Sequence, residues 1–213
     1  MRSATDRYSL DALRTAWRDA ALALWRQNIR DTQPGYPGDR ERIADLYRRI
    51  GWGWAVEDGY AEGAGHEWCG VGQAAAGLEL GDHLQPDRCV PVSLHPDIAR
   101  LVLPSTNRLY SHRLPGTDRW KQAGVPPAHE IDVEAVDAGD ICTIYPDRKR
   151  WGSHIVMATG HPRNGHIPTV ECNAHGRFPT GDRGEGAVRR KRKLEQVAVA
   201  YRLFDPHFLI RER

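Results

Sequence analysis

The chain of 213 residues is short of three things, and each shortage excludes a class of protein. Cysteine is scarce. The four thiols at positions 69, 89, 142 and 172 show no CxxC pairing and are too few for a disulfide scaffold, so they are expected to be reduced. A dominant charge is missing too: 30 Lys and Arg against 28 Asp and Glu leave a net charge of +2, which argues against a protein that is basic throughout and binds nucleic acid by bulk charge. Long apolar runs are absent. Residues 20–25 fall far short of the roughly 20 apolar residues that span a bilayer, so no membrane insertion is expected. Arg7, Asp11, Arg14, Arg18 and Asp19 interrupt every stretch that could form the core of a signal peptide, so none is expected. There is no internal repeat or low-complexity block, and the length suits one packed domain or a domain with a short appendage.

The first half of the chain carries helical periodicity. Leu10, Leu13, Trp17, Ala21 and Leu24 recur at helical spacing over 9–30, with Ser9 as N-cap. A second helix is expected over 39–50, with Ile43, Leu46, Tyr47 and Ile50 inward and Gly51 ending it. The Gly- and Trp-rich stretch 51–65 reads as irregular. A small-residue helix follows, opening at Cys69 and ending near Gly77 or Gly81. Another helix is expected to start at Ser93 or His95, before Pro96, and to run to about Leu103. Residues 104–130, rich in proline, read as a long loop or a surface insertion.

Beyond Asp132 the pattern changes to short β-branched or alternating segments at 141–145, 154–159, 167–172, 187–194 and 197–204, divided by Gly, Pro and Asn. Helices followed by strands predict an α+β fold, with N-terminal helices packed on a C-terminal antiparallel sheet. The expected organisation is a helix within 1–32 packed on the core and a single domain over 33–213.

Three polar features stand out against this scaffold. Cys69 lies at a helix start, where partial positive charge and unpaired N–H groups favour a thiolate. His154 heads an apolar strand and shares a face with Val156 and Ala158. Glu171 and Asn173, two residues apart on the next strand, are expected to face the same way, so either could accept from one imidazole nitrogen and leave the other for a thiol. A thiol, an imidazole and a polar orienter are the parts of a cysteine hydrolase. The ordinary roles of these residues are a buried apolar cysteine, a structural histidine, a surface glutamate and a turn asparagine.

Two other groupings suggest different chemistry. His161, His166, Cys172 and His175 could suggest zinc, but their spacing matches no standard finger or ribbon. The run Arg189, Arg190, Lys191, Arg192 and Lys193 could touch nucleic acid, but no stacking aromatics interleave it, and a solvated strand is the simpler expectation.

In order along the chain stand EWCG at 67–70, AGDICTIYP at 138–146, GSHIVMA at 152–158, TVECN at 169–173 and GAVRRKR at 186–192. This series, with the upstream PGDRERIADLYRRIGWGW, resembles the CHAP amidohydrolase/peptidases, cysteine enzymes of papain-like fold that cut bacterial peptidoglycan. The resemblance covers roughly residues 28–193. It implies Cys69 as nucleophile, His154 as general base and then acid, Glu171 as the group orienting the imidazole and Asn173 as further polar support. It also implies a peptide stem or cross-bridge of peptidoglycan as substrate, cleaved at an amide bond, with no cofactor and no metal. A phage-type lysin or a delivered antibacterial effector fits this pattern: made in the cytoplasm, it would act on the wall after release, virion delivery or secretion. The alternatives are a catalytically silent CHAP-like binding or structural module, or a zinc- or nucleic-acid-binding protein. The sequence says nothing of oligomeric state.

Overall fold

The computed structural model describes residues 9–31, 39–51, 53, 56, 68–80, 83, 92–94, 129–144, 154–202 and 210–212. Helix α1, Leu10–Arg26, starts where Ser9 Oγ accepts a hydrogen bond from Ala12 N–H at 3.2 Å. Its apolar stripe, Leu13, Ala16, Trp17, Ala20, Ala21 and Leu24, is buried. The helix ends earlier than residue 30 because Asn28 adopts a φ of +57° and Ile29 to Asp31 turn into extended backbone. There, Ile29 carbonyl accepts from Ala187 N–H at 2.9 Å. Helix α2, Arg40–Arg49, buries Ile43, Ala44, Leu46 and Tyr47, and Gly51 follows it at a φ of +79°. Helix α3, Cys69–Gly77, is buried at all nine positions.

The strands are β1 (Val92–Leu94), β2 (His129–Ile131), β3 (Ile141–Ile144), β4 (His154–Ala158), β5 (His166–Arg177), β6 (Arg183–Lys193), β7 (Val197–Arg202) and β8 (Ile210–Glu212). Six of them form one antiparallel sheet in the order β2-β7-β3-β4-β5-β6, and β1 pairs with β8 separately. The molecule is therefore α+β, helices first and sheet second. Two expectations need correction. Ser93 lies within a strand rather than at a helix start, while residues 95–103 fall outside the described residues. The long loop expected up to residue 130 gives way to β2, because His129 to Ile131 find a ladder partner in Ala200 to Arg202 that local sequence cannot show. The rest of that loop, and most of 51–65, also lies outside the described residues.

Alternation divides the sheet into two apolar faces. On one face, Ile141, Ile155, Met157, Val170 and Tyr201 pack against Ala16, Trp17, Ala20 and Ala21 of α1 and Cys69 and Ala76 of α3. On the other, Cys142, Ile144, Val156, Ala158, Ile167 and Ala200 form a second cluster with Val136. Each fully buried large apolar side chain here stabilises by about 1.5–3 kcal/mol before chain entropy is counted. The Gly-Asp pair before β3 ties α1 to the sheet. Gly139, at a φ of +86°, lies so close to the α1 backbone that a Cβ there would come within 2.4 Å of Arg14 O. The Asp140 carboxylate, fully buried, accepts from Arg14 at 3.1 Å and from Arg202 at 3.1 and 2.7 Å.

Small residues in α3 set how closely it approaches β5. A Cβ built at Gly72 would meet Cys172 Sγ at 2.1 Å and Cys172 Cβ at 2.9 Å. Gly72→Ala is therefore expected to lower stability by about 1–3 kcal/mol through overpacking. Chemical denaturation should show the loss, and Cys172→Ala in the same chain should return part of it.

Candidate active site

Cys69 is the first residue of α3, and the residue before it fixes where the helix begins. Trp68 is buried, and its indole Nε1–H donates to Asp31 Oδ2 at 3.0 Å. Asp31 is in turn tied to β6, its N–H donating to Glu185 O at 2.9 Å. One turn into α3, Gln73 Nε2 donates to Val170 O on β5 at 3.2 Å, and Gln73 O accepts from Trp17 Nε1 of α1 at 2.9 Å. Helix α3 is thus anchored at both its start and its middle. The Cys69 thiol is held among apolar side chains with 1% exposure.

His154 opens β4 and keeps 15% of its side chain accessible. Its ring is hydrogen-bonded to Cys69 and, through Nε2, to Glu171 Oε2 at 3.0 Å. The register pairs Val156 with Glu171, so Glu171 lies on the sheet face opposite the helices, while Cys172 faces Gly72 of α3. The imidazole at the strand start links the two sides.

Glu171 is fully buried and its oxygens are saturated. Oε1 accepts from Thr169 Oγ1 at 2.6 Å and from Arg192 Nε at 2.8 Å. Oε2 accepts from Arg192 NH2 at 2.5 Å as well as from His154. This two-pronged arginine contact is the strong form of a charge-assisted pair. Burial by itself would raise the carboxyl's pKa, but hydrogen bonds from His154 and Arg192, and their charges, hold it well below the usual carboxylate range. Burial likewise opposes charge on His154. Its hydrogen bonds to Cys69 and Glu171, with the negative charge of both, push the imidazole pKa up to about 9. At neutral pH the ring is an imidazolium beside a sulfur at a helix N-terminus, two influences that both favour the thiolate.

The other described cysteines have the opposite surroundings. Burial, with Asp140 and Glu171 nearby, pushes Cys142 up to about 12. Burial, with Cys69 and Glu171, raises Cys172 well above its ordinary value.

Cys69, His154 and Glu171 are therefore brought together, and Asn173 is not. A bulge breaks the β5–β6 register between Glu171 and Ala174, and Asn173 sits in it at a φ of +54°. The two-residue alternation on which its shared face with Glu171 depends is lost there. Arg192 and Thr169 are the residues that sequence reasoning missed. The basic run of β6 is not uniformly solvated: Arg189, Lys191 and Lys193 are exposed while Arg192 is 8% exposed. Strand alternation within the run was the available signal. The residues considered for zinc go to separate places: His161 Nδ1–H donates to Val136 O, His166 Nδ1–H to Asn164 O, Cys172 packs on Gly72, and His175 is exposed beside Arg177 and Arg183. Among the described residues no group of three or more metal-ligating side chains gathers, and no helix is long and apolar enough to cross a membrane. Comparison with protein-family models, with curated proteins and with solved structures found no match.

Proposed function

We propose that this chain is a cysteine amidohydrolase of papain-like arrangement that cleaves an amide bond in peptidoglycan. The observation that carries the reading is the meeting of Cys69, His154 and Glu171, drawn from a helix and two strands far apart in sequence, in one hydrogen-bonded series. The wall substrate rests on the resemblance of the five sequence motifs.

The Cys69 thiolate attacks the amide carbonyl, forming a tetrahedral adduct. The oxyanion takes a hydrogen bond from the Cys69 backbone N–H at the α3 start. With Nε2–H committed to Glu171, Nδ1 is the nitrogen that delivers a proton to the leaving amine. Water, activated by the same neutral ring, then hydrolyses the thioester and regenerates the pair. Glu171 fixes the tautomer and orientation of the imidazole without taking the proton itself. Arg192 and Thr169 keep that carboxylate charged and still.

The 1% exposure of Cys69 favours the competing reading, a catalytically silent module that retains the fold. Incubating purified wall with the protein and with Cys69→Ala separates the two. New amino termini without new reducing sugars, seen only with the native thiol, are expected. Reducing sugars would indicate glycan cleavage, and no release of either would leave the silent module.

A further inference from the structure

Along β5 and the edge strand β6 runs an open groove of about 660 Å³, bordered by Arg177, Arg183, Arg189, Arg190, Lys191 and Trp25. No carboxylate borders it among the described residues. Four of the five cations are exposed and Arg190 is half-buried. Burial and the neighbouring charge of Arg192 pull the Arg190 guanidinium below its ordinary value, against the opposing charge of Glu171.

Charged edge strands also block edge-to-edge pairing between copies of a protein. That role accounts for exposed lysine and arginine, but not for a concave site that, among the described residues, gathers five cations and no acid. The aromatic groups narrow the occupant. Trp25 packs against the core, donates its Nε1–H to Arg177 O at 3.1 Å, and carries the Arg189 guanidinium 5.2 Å from its ring centroid. Phe178 is buried beneath Arg30, at 4.3 Å. Both rings are already engaged, and among the described residues bordering the groove only the exposed His175 imidazole is left as a platform, whereas single-stranded nucleic acids stack successive bases on several.

We propose that this groove binds a polyol-phosphate polymer, a flexible chain of phosphodiesters without bases, and holds it along the strands that carry Glu171 and Arg192. The choice of a wall polymer rests on the hydrolase reading, while the preference for phosphodiesters rests on the groove itself. Bound there, the polymer keeps the catalytic domain on the wall surface between turnovers.

The test uses the full chain carrying Cys69→Ala and fluorescently labelled poly(glycerol phosphate), with binding followed by anisotropy. Counterion release of about 0.7 per neutralised phosphate predicts affinity falling on the order of 10- to 100-fold between ~50 and ~200 mM salt. Arg189→Glu with Lys191→Glu, both at exposed positions, should weaken binding at least ~10-fold at fixed salt with unchanged circular dichroism. Absence of binding, or binding indifferent to that charge reversal, would overturn the proposal. So would displacement by single-stranded DNA at the same phosphate concentration or less, which would make the groove a nucleic-acid site. Wall cleavage without polymer binding would refute the groove alone, and polymer binding without wall cleavage would refute the hydrolase alone.

Discussion

Glu171→Gln is expected to destabilise the protein by about 3–5 kcal/mol, because it leaves the Arg192 guanidinium buried without its counter-charge. The native carboxylate has a depressed pKa, so its contribution is present above the unfolded carboxyl value near 4.5 and is lost only as pH falls through the much lower folded value. Acid unfolding of the native chain should therefore depend more steeply on pH than that of a variant lacking both partners, whose stability carries no such titration. Replacing both partners, Glu171→Gln with Arg192→Met, removes the orphaned charge and should recover most of the stability in urea. It should not recover the imidazole: without the carboxylate, the His154 pKa is expected to fall from about 9 toward its ordinary 6.5, as NMR titration would show. Recovery of stability with loss of the raised pKa separates the structural role of the pair from its positioning role.

His154→Ala is expected to lower turnover on wall fragments by at least ~10²–10⁴ while leaving KM nearly unchanged, since the ring moves protons rather than binding the ground state. The pH dependence has a definite sign. A raised pKa means that the imidazolium's stabilising contribution is fully present below 6.5 and is lost as pH rises through about 9. Turnover should fall over the same upper window, as the acid that protonates the leaving amine disappears. Alkylation of the thiol should not fall there, because the sulfur stays ionised after the ring loses its proton. Divergence of these two profiles above about pH 9 identifies the ring as the acid. Parallel profiles would remove it from that role.

The helices and most strands were legible because they follow local rules. Ser9 caps α1, Gly51 stops α2, and β4 alternates between Ile155 and Met157 on one face and Val156 and Ala158 on the other. Cys69, His154 and Glu171 could be picked out because each breaks such a pattern, a reactive or charged group where an apolar one fits. Asn173 was misplaced because a bulge is a property of two paired strands and not of either sequence. Arg192 was hidden for a similar reason. Alternation sets Arg190 and Arg192 apart from Arg189, Lys191 and Lys193, but only the pairing of β5 with β6 decides which set turns inward, and register is long-range information. Ser93 and the residues of β2 likewise became strand through partners far away in sequence, such as Arg211 for Ser93 and Ala200 for Ile131.

The claim that Cys69 and His154 form a thiolate–imidazolium pair is tested most directly by site-resolved alkylation. The protein is exposed briefly to iodoacetamide near neutral pH, and each cysteine is quantified by peptide mass spectrometry. Modification of Cys69 at least ~10-fold faster than Cys142 and Cys172, with that advantage lost in His154→Ala, is the predicted result. Labelling of Cys69 as slow as that of Cys142, or unchanged when the imidazole is removed, would contradict it.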